Sequence, residues 1–134
     1  MIKSIVARAR LAWHIYTTFA VVVFRIRVRR IPLPRAVALV EDAPPLRLPR
    51  GTPLKLGRAI HRSLSVGSAQ PRCLTLALTH FTLLARVGLI PDLVIGLPRS
   101  DTSDAHAWVE IGGRDVGPPP GRDGSVELAR FGLG

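Results

Sequence analysis

CLTLALTHFTLLARVG, residues 73–88, carries apolar side chains at two overlapping helical spacings. Leu74, Ala77, Leu78, Phe81, Leu84 and Ala85 recur every three and four residues and mark one face, while Leu76 and Leu83 fall on another. A helix apolar on more than one face is buried on most sides, so Cys73–Val87 is expected at the centre of the fold. Gly88 follows in the position of a left-handed terminating residue. Pro71 suits a first helical position, where the missing N–H costs nothing, and this puts Cys73 in the first turn.

Beyond Gly88 the period shortens. Leu93-Val94-Ile95 reads as a short strand, and AHAWVEI, residues 105–111, as a second. Gly112-Gly113 is a two-residue hairpin turn into a third strand, Arg114 to Gly117. Pro118-Pro119-Pro120 then stops the sheet, and the polar stretch from Gly121 reads as a partly mobile tail. Upstream of Cys73, Thr52 and Pro53 form a helix start for Leu54 to Leu64, and Ser65 to Gln70 is a loop. Before them come a proline-rich connector, Ala43 to Gly51, a short helix, Ala36 to Glu41, and a long apolar element from Ile2 to Arg30. Helices first and an antiparallel sheet later make the fold class α+β.

The 134 residues suit one domain with one active site. Residues 1–50 form a helical region and connector, 52–117 the core, and 118–134 the tail. With 47% hydrophobic residues and a mean hydropathy of +0.26 the chain is expected to fold. A single cysteine excludes an internal disulfide and a thiolate zinc site, and it suits a reducing cytoplasm; no metal and no cofactor is expected. The net charge of +10 comes almost wholly from arginines spread from Arg8 to Arg130, not from a basic stripe interleaved with aromatics, so no nucleic-acid partner is expected. An acidic peptide or acidic partner protein fits the same charge. The uncharged run Leu11 to Phe24 is 14 residues, short of the roughly 20 that span a bilayer. Residues 2–30 therefore allow two placements, packed on the core, which we favour, or lying at a membrane surface, which would make the protein peripheral there.

Cys73 in a first helical turn meets unpaired backbone N–H groups that favour a thiolate and can bind an oxyanion. Buried inert packing is the competing reading of a lone cysteine. His106 opens a later strand, and the 33 residues between the two leave room for helix, turn and strand to bring thiol and imidazole together. His80, seven residues along the same helix, lies about 10.5 Å from Cys73 and is excluded as the base. His14 and His61 stay open, although neither lies in a strand.

Pro71-Arg72-Cys73-Leu74, the helix ending Ala85-Arg86-Val87-Gly88, Leu93-Val94-Ile95-Gly96 and Ala105-His106-Ala107-Trp108-Val109-Glu110 together resemble the lasso-peptide leader protease, a transglutaminase-like cysteine protease. The likeness covers residues 54–117. It implies a transglutaminase/papain-like core and a cysteine peptidase of Cys-His-Asp type. Such an enzyme removes the leader of a ribosomally made precursor peptide with a small leader-binding protein supplied in trans, and a separate lasso cyclase then closes the ring. Where the family carries the acid that orients the imidazole, this chain has Pro118. The nearest acid is Asp115, which a bulge beside Gly117 would have to turn inward. Asp123, Asp101 and Asp104 are the other candidates, and a carbonyl could serve instead. Trp108 and Glu110 share a strand face with His106, the indole being either a wall of the site or core. Gln70 is either an oxyanion donor or a plain loop residue. A catalytically inactive binding module and a basic membrane-surface protein are the competing functions.

Overall fold

The computed structural model describes residues 2–47, 53–64, 73–99, 105–117 and 124–133. Helix α1, Ile2–Val23, runs on into a π-helical turn, Phe24–Val28. It stops where Arg30 turns left-handed (φ 52°) and the Ile31 N–H closes on the Arg25 carbonyl at 2.8 Å. Pro32 caps α2, Leu33–Ala38, which tightens into a 3-10 turn at Leu39–Asp42. Helix α3, Pro53–Leu64, starts on the expected proline, and α4 is Cys73–Arg86. Gly88 (φ 92°) ends α4 as anticipated: its N–H bonds Ala85, and the Leu89 N–H reaches back to Leu84, both at 3.1 Å.

The fold is α+β. Strands β1, Asp92–Pro98, β2, His106–Ile111, β3, Arg114–Asp115, and β4, Ser125–Gly132, form one antiparallel sheet in the order β3-β2-β1-β4. Gly112 and Gly113, at φ 58° and 78°, supply the two positive angles of the β2–β3 hairpin turn. The expected mobile tail is corrected here, because β4 pairs with β1 along its whole length. A bulge shifts the register between Ile95 and Gly96. Leu128 is the extra residue of the bulge, and it and Val126 stay exposed, whereas Phe131 and Leu133 beyond it pack on the core. That shift breaks the alternation by which the strand would otherwise be read.

Helix α4 is buried at every position from Thr75 to Leu84. Ala77, Leu78, Phe81 and Leu84 join Leu93, Ala107 and Val109 of the sheet and Val37 and Val40 of the α2 region in one cluster. Leu76 and Leu83 join Ile15 of α1 and Ile60 and Leu64 of α3 in another. The two apolar faces seen in the sequence are thus the two sides of the molecule's middle layer. Helix α1 contributes Ile15, Thr18 and Val22 as buried residues. With its π-helical turn it runs 27 residues, so by length and composition alone it could cross a membrane, more than its 14-residue uncharged run suggested.

Candidate active site

The first residue of α4 meets the residue that precedes β2. Cys73 is half-buried, and its Sγ lies 3.9 Å from the carbonyl oxygen of Ala105, the residue before His106. The thiol therefore approaches the backbone next to the residue that carries the imidazole, at one end of the helix–sheet interface. The first-turn N–H groups of α4 have no intrahelical partners, so this corner offers donors as well as a nucleophile.

His106 is half-buried and pairs across the sheet with Gly96. Its ring centroid is 6.3 Å from that of Trp108, tilted by 35°. Strand alternation sets His106, Trp108 and Glu110 on one face of β2, while Ala107 and Val109 take the other and pack in the α4 cluster. The indole of Trp108 is 2% exposed and its Nε1–H donates to Glu110 Oε2 at 2.7 Å. Glu110, also 2% exposed, accepts a second bond from Arg130 Nη2 at 3.0 Å. Arg130 further donates to Glu127 at 2.6 Å and Asp92 at 3.0 Å, and the bonds to Glu127 first and Glu110 second raise its pKa. Trp108 is therefore core and, at the same time, the wall against His106. Gly96 makes room for it: a Cβ there would come within 2.7 Å of the Val126 carbonyl and 2.8 Å of the indole.

Asp115 is placed elsewhere. It pairs directly with Glu110 without a register shift, which sets it on the strand face of His106 but well along the strand from it. At about 3.3 Å per residue, four residues of β2 separate that point from His106 by roughly 13 Å. Its carboxylate accepts from the Gly117 N–H at 3.0 Å, and its charge acts on His80. In this register Asp115 does not reach the His106 ring. Gln70, Pro71, Asp101, Asp104, Pro118 and Asp123 lie outside the described residues.

The other histidines sit in helices. His80 is 3% exposed and its Nε2–H donates to the Pro53 carbonyl at 3.1 Å, tying α4 to the start of α3. Burial lowers its pKa to about 4, against the opposing influence of the Pro53 bond and Asp115. His14 of α1 is lowered by burial, then by Arg86 and Arg10. His61 of α3 keeps a buried Nδ1 with no partner among the described residues. Arg130 and Gly96 were missed in the sequence: the first lies in a strand read as tail, and the second shows its role only once Trp108 is seen crossing β1.

An α+β chain with a thiol at a helix start, close to the backbone at the head of a strand that opens on histidine, suits one class. The chain belongs to the transglutaminase-like superfamily, whose family model matches residues 15–128, and that superfamily includes cysteine peptidases. No curated protein and no solved structure matches the chain.

Proposed function

We propose that this protein is a cytoplasmic cysteine peptidase that removes the leader from a ribosomally made lasso-peptide precursor, with Cys73 as nucleophile and His106 as base. The observation that carries the reading is the 3.9 Å approach of the Cys73 thiol to the carbonyl preceding His106. In the resting protein that carbonyl is the thiol's acceptor. In the reaction the His106 imidazole turns to the thiol and takes its proton, and the thiolate attacks the scissile carbonyl. The oxyanion that forms is met by the free N–H groups of the first turn of α4. His106 then protonates the leaving amine, and water releases the acyl-enzyme. Trp108, held by Glu110 and Arg130, limits the room in which the imidazole turns. A leader-binding protein in trans presents the precursor, and a separate cyclase consumes the product.

The test is cleavage of a lasso-peptide precursor in the presence of a leader-binding protein, followed by mass spectrometry. Cleavage is expected from the native chain and from neither Cys73→Ala nor His106→Ala; cleavage that survives Cys73→Ala overturns the mechanism. The position of Asp115 favours one second reading, a binding module without catalysis. Iodoacetamide near neutral pH separates the two. Fast alkylation of Cys73, slowed in His106→Ala, supports the peptidase, while an unreactive thiol in a chain that still binds precursor supports the module.

A further inference from the structure

Helix α1 has two apolar faces, and the fold uses one. Ile15, Thr18 and Val22 are buried, and Tyr16 donates its hydroxyl to the Ser63 carbonyl of α3 at 2.7 Å. At about 100° per residue, Ile2, Val6, Ala9, Trp13 and Ala20 fall within roughly 60° of one another on the opposite side. Ile2, Val6 and Trp13 are 79%, 54% and 69% exposed, and no charged residue lies in that sector. Lys3 and Arg10 flank it, and the exposed Arg27, Arg29 and Arg30 crowd its far end. From Ile2 to Val40 the chain carries eight basic side chains and no acidic one.

We propose that this face of α1 docks on an anionic phospholipid bilayer, lying at the boundary of headgroups and acyl chains. An apolar strip with an exposed tryptophan seats at that depth, and arginines at both ends reach back to the phosphates. The absence of acidic side chains along the segment matches a surface of one sign. Crossing the bilayer would require pulling Ile15, Thr18 and Val22 out of the body of the protein, so the helix lies on the membrane. Docking does not depend on Cys73 or His106.

The experiment is flotation of the full chain with phosphatidylcholine vesicles, pure or containing about 30% phosphatidylglycerol. Flotation is expected with the anionic vesicles alone, weakening as salt rises. Trp13 and Trp108 are the two tryptophans and Trp108 is buried, so a blue shift in emission reports Trp13 entering lipid. The shift disappears in Trp13→Phe while flotation persists. The double variant Val6→Glu/Trp13→Glu, altered at exposed positions, loses about tenfold or more in binding with its circular dichroism unchanged. Should that variant misfold, Arg27→Gln/Arg30→Gln gives the second reading, weaker flotation with a flatter salt dependence. No flotation, flotation indifferent to both variants, resistance to alkaline carbonate extraction, or binding to an acidic protein but not to vesicles would each overturn the proposal.

Discussion

Helices α1 and α4 are both apolar and pack against each other, yet they live in different surroundings. In α4 ten consecutive residues, Thr75 to Leu84, are buried, whereas in α1 three of 22 are. Polar groups follow the same division. Thr79 and Thr82 of α4 donate to the carbonyls of Thr75 and Leu78 at 2.6 and 2.7 Å, while the buried Thr18 hydroxyl of α1 has no partner among the described residues. Composition makes both helices apolar; position between two layers makes only α4 the core. An element that forms the middle layer has every side chain specified by a neighbour, and one on the outside has a single stripe specified.

The largest expected effect breaks the inner helix. Phe81 is 0% exposed, and Phe81→Ala should cost about 3–5 kcal/mol through lost burial and the cavity left behind. Trp13→Ala, at an exposed position on α1, should stay within about 0.5 kcal/mol. Urea denaturation of both variants checks the pair. Similar losses would mean that α1 is covered in solution.

Next comes pH. His80 titrates near 6.5 when unfolded and near 4 when folded, so the unfolded chain binds a proton that the native state refuses between those values. Stability is therefore full above about pH 6.5 and falls as pH drops through the window, by about 1.4 kcal/mol per unit and on the order of 3 kcal/mol in all. Below the folded pKa this slope ends. His80→Gln, which can still donate to the Pro53 carbonyl, should flatten the difference in melting temperature between pH 7 and pH 5; an unchanged difference would remove His80 as its source.

Glu110→Ala extends the comparison to the sheet. It strands the buried Trp108 Nε1–H, at an expected cost of about 1–3 kcal/mol, while Glu110→Gln keeps an acceptor and costs less. Denaturation that ranks the two variants equally would show that the bond to Trp108 contributes nothing.

These contrasts explain which parts were legible beforehand. The two faces of α4, its glycine stop and the hairpin glycines are local signals written in period and backbone freedom, and the structure follows them. Cys73 as the first residue of α4 and His106 as the first of β2 were legible because a helix start and a strand start carry distinct residue patterns. Strand β4 was hidden because a bulge desynchronised its alternation, and with it went Arg130, whose bonds cross three strands. Asp115 was named as the acid nearest in the chain to Pro118, and the straight β2–β3 register pairs it with Glu110, four residues along β2 from His106. The free face of α1 was ambiguous because hydropathy reports that a side chain is apolar, not what it meets.

The smallest effect tests that ambiguity most directly. Thr18→Val removes a buried hydroxyl that has no partner among the described residues and keeps nearly the same shape and helix propensity. Releasing an unpaired polar group should leave stability unchanged or raise it by up to about 1 kcal/mol. Thr79→Val on α4 removes a hydroxyl that bonds Thr75 at 2.6 Å. That change should cost about 1 kcal/mol instead. Opposite signs in the two melts would confirm that α4 is specified down to its hydroxyls and α1 only by its apolar stripe. Two losses of equal size would mean that the Thr18 hydroxyl has a partner in solution, and the packed face of α1 would then be as fully specified as α4.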